Sequence, residues 1–125
     1  MKLLLDTHVV LWALSDPARL GPHALQMIEA ADNVFVSSVS FWELAIKTAI
    51  GKIVLDLPKF HARSLGAGFE PLAVTAVHAL AVMGLPPLHG DPFDRMLIAQ
   101  AVSEPLHFLT RDAALARYPA SVTLV

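Results

Sequence analysis

Short apolar segments with strand character alternate along this chain with segments of helical spacing. The strand-like segments are residues 2–5, 34–37, 72–75, 107–110 and 122–125. The helical segments are 9–14, 22–31, 39–50, 59–65, 76–83, 92–102 and 113–117. Such alternation is typical of a parallel sheet covered by helices on both faces. We therefore expect an α/β fold with about five strands.

The length and composition favour one domain. A chain of 125 residues is long enough to bury one core. No repeat, linker or low-complexity tract divides it, so we expect a single domain over residues 1–125. Apolar residues make up 55% of the chain and charged residues 16%. This is more apolar material than one small domain easily hides, so we expect part of the surface to contact a partner.

Charge and cysteine content narrow the possible functions. The net charge of -2 does not indicate a nucleic-acid binder by bulk electrostatics, so any such function must rest on a local site. The chain has no cysteine, which excludes disulfides and thiolate ligands. Asp6 comes too early for a signal peptide, and prolines and glycines interrupt the uncharged stretch 71–90. We expect a cytoplasmic protein without a membrane span.

Two acidic residues lie directly after predicted strands. Asp6 follows the first strand; the fourth strand ends at Thr110 and is followed by Arg111 and Asp112. The carboxyl ends of parallel strands lie at one edge of the sheet, where ligands bind, so Asp6 and Asp112 should share that edge. An aspartate at a strand-to-helix junction is also a favoured helix N-cap. Each of the two acids therefore has a purely structural alternative.

Glu43 lies in a helical segment, at the border of its apolar face. One interpretation is an ion pair with Lys47, four residues later. A cation held at a ligand site would satisfy the carboxylate equally well. The sequence leaves both interpretations open.

Asp94 combines a helical position with an apolar face. Asp91 is expected to cap the helix and Pro92 to be its first residue, which places Asp94 in the first turn, where the helix dipole favours an acid. Asp94 nevertheless shares its face with Leu97 and Ile98. An ionised carboxylate is costly to bury unless it is paired or binds a metal. The position of Asp94 therefore favours a functional role over a purely structural one.

Several carboxylates at one edge would repel each other unless a divalent cation neutralised them. Oxygen ligands without cysteine favour Mg²⁺ or Mn²⁺ over Zn²⁺. Ions of this kind support the hydrolysis of phosphodiester bonds. The candidate catalytic and metal-binding residues are Asp6, Glu43, Asp94 and Asp112.

Four motifs, in the same order as in the family, resemble the PIN-domain family, specifically the VapC-like toxins of bacterial and archaeal toxin–antitoxin pairs. They are Leu-Leu-Leu-Asp6-Thr-His, Ser-Ser-Val-Ser-Phe-Trp-Glu43, His-Gly-Asp-Pro-Phe-Asp94-Arg-Met-Leu-Ile-Ala-Gln-Ala and Leu-Thr-Arg-Asp112. They span nearly the whole chain. The resemblance implies a three-layer α/β/α sandwich of the PIN-like, Rossmann-like type. It also implies endoribonuclease activity that depends on Mg²⁺ or Mn²⁺.

The resemblance also implies roles for individual residues. Asp6 and Asp94 would be the principal metal ligands, and Glu43 and Asp112 would complete the cluster directly or through water. Thr110 would orient a ligand or water. Asp91 would either cap its helix or join an outer shell. Two arginines adjacent to these acids are candidate phosphate contacts, although solvated surface arginines are commoner; they are Arg95 and Arg111.

The resemblance implies a cognate antitoxin (VapB-like), an RNA substrate and a homodimer. Segment 50–68, with Lys52, Lys59 and Arg63, is a candidate for the antitoxin groove and for RNA contact, or is simply a solvated basic hairpin. The alternative function is an inactive PIN scaffold that binds RNA or protein. A phosphoacceptor receiver is disfavoured, because no second acid adjoins Asp6 and no lysine follows Lys59. His8 and His89 receive no role.

Overall fold

A parallel sheet with the strand order β3-β2-β1-β4-β5 forms the centre of the protein. A computed structural model describes residues 1–125. The strands are β1 (Lys2–Leu5), β2 (Asn33–Ser37), β3 (Glu70–Leu72), β4 (His107–Thr110) and β5 (Val122–Leu124). Each adjacent pair is parallel, and in the middle strand Leu3 pairs with Val34 on one side and with His107 on the other. The predicted five-stranded parallel sheet is confirmed.

Six α-helices connect the strands. They are α1 (Thr7–Ser15), α2 (Gly21–Ala30), α3 (Ser38–Ala49), α4 (Leu57–Gly66), α5 (Ala76–Ala81) and α6 (Pro92–Ser103). Short 3-10 helices cover Pro17–Arg19, Val82–Gly84 and Ala113–Arg117, so the last predicted helical segment is a 3-10 turn. No helix has both the length and the apolar character needed to cross a membrane.

The two faces of the sheet carry separate apolar cores. Leu3 and Leu5 of β1 point into a core that includes residues of α1, α2 and α4. Leu4, between them, points into the core that contains Leu97 and Ile98 of α6. This alternation follows from the period of two in a strand. Burying each of these side chains contributes about 1.5 to 3 kcal/mol, so helices on both faces stabilise the three-layer sandwich.

The third strand lies earlier than predicted. It covers Glu70–Leu72, and Pro71 stands opposite Val36 of β2, whereas the prediction began after the proline. The predicted position is wrong because β3 is an edge strand, where a proline without an N–H group is tolerated. Thr75 instead caps α5, since its hydroxyl accepts a hydrogen bond from the backbone N–H of His78.

The register of β1 and β4 sets the position of the acids. The backbone N–H of Asp6 donates to the carbonyl oxygen of Leu109 at 2.9 Å, one residue beyond the last paired position of β1. This places Asp6 beside Thr110, the last residue of β4. The carboxyl edge predicted for Asp6 and Asp112 is therefore where these two chain segments meet.

Candidate active site

A cavity of about 540 Å³ opens at the carboxyl edge of the sheet. The four acids predicted from the sequence all line it, although they come from four separate parts of the chain. The complete lining consists of Asp6, His8, Trp12, Glu43, Lys47, Asp91, Asp94, Arg111 and Asp112. The structure thus brings together in one place the carboxylates that the sequence could only assign one at a time.

Hydrogen bonds hold both carboxylate oxygens of Asp6. Oδ1 accepts from the backbone N–H of Thr7 at 2.7 Å, and Oδ2 accepts from the hydroxyl of Thr110 at 2.6 Å. The Thr110 hydroxyl oxygen also accepts from the backbone N–H of Asp112 at 3.0 Å. Thr110 therefore orients the carboxylate of Asp6 and connects it to the turn that carries Asp112.

Three of the cavity aspartates cap helices. Asp6 caps α1, and Asp91 caps α6 through bonds from the backbone N–H groups of Phe93 and Asp94 to its Oδ1. Asp112 caps the turn Ala113–Arg117, since its Oδ1 accepts from the backbone N–H of Ala114 at 2.9 Å. All three also line the cavity. Capping and cavity lining, which the sequence presented as alternatives for Asp6 and Asp112, are compatible.

Glu43 is 5% exposed and makes two side-chain hydrogen bonds. Its Oε1 accepts from the hydroxyl of Thr7 at 2.8 Å, and its Oε2 accepts from the ammonium group of Lys47 at 2.7 Å. The ion pair considered for Glu43 is therefore present. Because both Glu43 and Lys47 line the cavity, Lys47 supplies a positive charge that partly balances the acids.

Burial and mutual repulsion raise the pKa values of two of the acids. Desolvation, followed by the charge of Asp6, raises the pKa of Asp94 from 3.8 to about 6, while a hydrogen bond from His89 opposes the shift. Desolvation also raises the pKa of Asp6, against the hydrogen bonds from Thr110 and Thr7. The cavity thus penalises the ionised carboxylates that a bound cation would stabilise. The oxygen donors, whose negative charge Lys47 balances only in part, fit a divalent cation.

His89, which the sequence left without a role, lies next to two of the cavity acids. Its Nε2 lies 2.9 Å from Oδ2 of Asp94 and 4.0 Å from Oδ2 of Asp112. One donor atom from each of these three residues falls within 4.8 Å of the other two. The sequence contained one indication that His89 lies at the site, namely its position in the same motif as Asp94.

A cation–π cluster borders the acids. The guanidinium carbon of Arg19 lies 4.8 Å from the centroid of the Trp12 ring, and that of Arg111 lies 4.7 Å from it. Arg111 also donates to the carbonyl oxygen of Arg19 at 2.7 Å. Sequence reasoning identified Arg111 but missed Trp12 and Arg19. No local pattern connects Arg19 with a residue so far along the chain.

Arg95 has a structural role instead of the proposed phosphate contact. Its Nη1 donates to the carbonyl oxygen of Pro86 at 2.9 Å and to the Tyr118 hydroxyl at 3.1 Å, and its Nη2 donates to the carbonyl oxygen of Val82 at 3.3 Å. It does not line the acidic cavity. The guanidinium turns away because the loop before α6 offers it backbone carbonyls, so we leave Arg95 out of the site.

The basic residues of segment 50–68 do not line the acidic cavity either. Arg63 of α4 donates a hydrogen bond to the carbonyl oxygen of Leu14, at the end of α1. Lys52 and Lys59 are exposed. The segment is therefore a partly solvated basic face, with one of its three cations used to join two helices.

Comparison with known proteins decides the family of this chain. The sequence matches the PIN domain over residues 3–121. The chain belongs to the PIN domain family. It is 33% identical, over 126 residues, to ribonuclease VapC22 of Mycobacterium tuberculosis, an alignment that covers 98% of this chain and 97% of that protein. The family predicted from the four motifs is confirmed.

Solved structures show the same PIN fold. The toxin–antitoxin complex VapBC2 of Rickettsia felis, bound to a promoter DNA fragment, contains a chain with a TM-score of 0.74 and 16% identity, covering 99% of this chain and 98% of that one. A chain in the DNA-bound VapBC structure of Salmonella typhimurium has a TM-score of 0.71 and 18% identity, covering 98% and 97%. At these identities the likeness concerns the fold, and it confirms the predicted PIN-like sandwich.

Proposed function

We propose that this PIN domain is an endoribonuclease that requires Mg²⁺ or Mn²⁺ and acts as the toxin of a toxin–antitoxin pair. One observation carries the proposal: Asp6, Glu43, Asp94 and Asp112 line a single cavity at the carboxyl edge of the sheet. The relative named as a ribonuclease supports the nuclease class. Chains of similar fold in VapBC complexes support the toxin role.

In this proposal Asp6 and Asp94 are the principal metal ligands, and Glu43 and Asp112 complete the cluster directly or through water. A divalent cation held there would polarise a phosphate oxygen, activate a water molecule for attack on phosphorus and stabilise charge on the leaving oxygen. Thr110 holds the Asp6 carboxylate in one orientation through its 2.6 Å hydrogen bond. Asp91, which caps α6, serves as an outer support of the site.

Arg111 is the proposed contact for an RNA phosphate next to the scissile bond. It lines the cavity, and neither it nor Arg19 lies within 4.0 Å of a carboxylate. Trp12 holds the two guanidinium groups close together through cation–π contacts, which offset part of their repulsion. A phosphate would satisfy both cations. In this way a chain of net charge -2 presents a local site for a polyanion.

Arg111→Ala should therefore weaken RNA binding more than it slows the chemical step. For a solvent-exposed ion pair the loss is about 1 kcal/mol, which corresponds to roughly a fivefold rise in KM. The slope of the logarithm of the binding constant against the logarithm of the salt concentration should also become shallower, by about the contribution of one phosphate contact. Arg19→Ala should act in the same direction. Steady-state cleavage of a labelled RNA at several salt concentrations measures both effects.

The matched control is Arg117→Ala. Arg117 is exposed, lies on the turn before β5 and does not line the cavity, so its replacement should leave KM unchanged. Equal effects of the Arg111 and Arg117 substitutions would show that the contribution of Arg111 is only general surface charge. The assignment of Arg111 as a phosphate contact would then be abandoned.

The proposed partners are a cognate antitoxin (VapB-like) and a second copy of this chain, and the proposed location is the cytoplasm, where the RNA is. We treat residues 1–125 as one PIN domain. Large apolar side chains on the surface suit protein contacts: Trp42 is 62% exposed and Met83 83% exposed. A mainly apolar cavity of about 350 Å³ lies between α3 and α6, lined by Ser38, Val39, Trp42, Val74, Pro92, Phe93 and Met96.

Cleavage of RNA by the purified protein tests the proposed function. A mixed, end-labelled cellular RNA should be cut when Mg²⁺ or Mn²⁺ is added, and EDTA should abolish the cutting because the carboxylates alone cannot activate water. Expression of this protein alone should arrest cell growth. Co-expression with the protein encoded by a neighbouring small gene should relieve that arrest. Cation-independent binding of RNA without any cleavage would contradict the proposal and favour an inactive PIN scaffold.

A further inference from the structure

His89 differs from the other groups near the acids because it places a ring nitrogen between two carboxylates. Nε2 lies 2.9 Å from Oδ2 of Asp94 and 4.0 Å from Oδ2 of Asp112. The three donor atoms are within 4.8 Å of one another, a spacing that one ion can bridge. Asp6 is not part of this compact trio, although it shares the cavity.

The imidazole is positioned to accept a cation without disturbing the fold. Its side chain is 28% exposed, and its one contact with protein polar groups is at Nε2, on the side of the acids. Nδ1 makes no hydrogen bond with the protein and is not among the buried polar atoms without a partner, so it is accessible to water. Nε2 donates to Asp94 in the structure. In the tautomer with the proton on Nδ1, Nε2 gives up this hydrogen bond and its lone pair is free to coordinate an ion.

We propose that Nε2 of His89 coordinates the divalent cation together with Asp94 and Asp112, so that this site binds Mn²⁺ in preference to Mg²⁺. Mg²⁺ strongly favours oxygen ligands, whereas first-row transition ions accept imidazole nitrogen readily. One nitrogen ligand in an otherwise carboxylate site shifts selectivity toward the transition ion. The inference rests on the proposed metal site, but it is tested by binding and spectroscopy and not by cleavage.

The competing interpretation makes His89 a positioning residue that only hydrogen-bonds Asp94. That role needs contact with one carboxylate, and it places no nitrogen on the ion. The two interpretations make opposite predictions for a Mn²⁺-loaded protein, because the electron spin of Mn²⁺ couples detectably to a directly bound ¹⁴N nucleus. Pulsed EPR therefore distinguishes them.

The experiment loads the whole protein with one equivalent of Mn²⁺ at neutral pH. The ¹⁴N modulation expected from wild type should disappear in His89→Ala and His89→Gln. The Mn²⁺ dissociation constant should rise roughly tenfold or more in these variants, and that for Mg²⁺ far less, as calorimetry would measure. The control is His8→Ala, since His8 is an exposed histidine in the same cavity, and this variant should retain the ¹⁴N signal.

The outcomes separate this inference from the proposed function. Mn²⁺ bound at the acids without ¹⁴N coupling, or with coupling that is lost in His8→Ala and kept in His89→Ala, overturns the role of His89 and leaves the metal site standing. Failure of the folded protein to bind either cation overturns both. Loss of the coupling and of the Mn²⁺ preference only in the His89 variants supports the inference. Circular dichroism verifies that each variant is folded.

Discussion

Replacing Asp94 by Asn should abolish the proposed cation-dependent RNA cleavage while the protein stays folded. The amide has almost the same shape as the carboxylate, but it lacks the negative charge that would bind a cation in the cavity. Changes in groups that merely support metal ligands cost about 10- to 100-fold, so the loss of a principal ligand should exceed 100-fold. The measurement is single-turnover cleavage of labelled RNA with saturating Mg²⁺ or Mn²⁺, alongside circular dichroism of the variant.

Asp56→Asn is the control for this experiment. Asp56 also belongs to a helix start, since its Oδ1 accepts from the backbone N–H of Lys59 in α4, but it does not line the cavity. Its replacement should leave cleavage unchanged. If a folded Asp94→Asn protein cut RNA at the wild-type rate, the assignment of the catalytic centre to the acidic cavity would be wrong.

Without a divalent cation, the same substitution should stabilise the protein at neutral pH. Burial and the charge of Asp6 raise the pKa of Asp94 from 3.8 to about 6, so the folded state binds its proton more tightly than the unfolded state does. The stability from this group is fully present below pH 3.8 and is lost as the pH rises through about 6. A shift of about two pKa units corresponds to roughly 3 kcal/mol as an upper estimate for this largely buried carboxyl.

Chemical unfolding in EDTA between about pH 4 and pH 7 measures this effect, since the window is set by the unfolded pKa of 3.8 and the folded pKa of about 6. Wild type should lose stability across that interval relative to Asp94→Asn, whose amide does not titrate. Added cation should reverse the order at about a thousand times its dissociation constant, since binding to the folded state then stabilises wild type by about 4.1 kcal/mol. If the stability of wild type and of Asp94→Asn in EDTA changed with pH in the same way, folding would not raise the pKa of Asp94.

Asp32 supplies a control of opposite sign. It is fully exposed and pairs with the N-terminal ammonium group, which lowers the pKa of its carboxyl. Any stability that it contributes is present above its unfolded pKa of 3.8 and is lost as the pH falls. Asp32→Asn should therefore give no gain at neutral pH, in contrast to Asp94→Asn.

Most of the fold could be predicted because apolar periodicity is a local property of the chain. β1 and β4 have the predicted bounds, and the other segments differ by a few residues. The exception was β3, which was predicted over residues 72–75 and instead covers Glu70–Leu72. A proline is excluded from a central strand but accepted at an edge, and strand order is not visible in a local pattern.

Asp6 is an acid whose position could be predicted from the sequence. Its place after a strand predicted both an N-cap and a position at the carboxyl edge, and the structure contains both. Asp94 was placed correctly on the buried side of its helix by helical spacing alone. These predictions succeeded because each depended on backbone geometry within a few residues of the side chain.

Only the tertiary structure decided which side chains share the cavity and which are used elsewhere. Arg95 follows Asp94 directly yet bonds to the carbonyls of Pro86 and Val82, whereas Arg111 reaches Trp12 and the backbone of Arg19. The physical reason is that a long flexible cation goes to the nearest free acceptors or aromatic face, and those belong to distant segments. The positions of the acids could be predicted from the sequence. The position of His89 next to two of them could not, because it depends on contacts between separate segments of the chain.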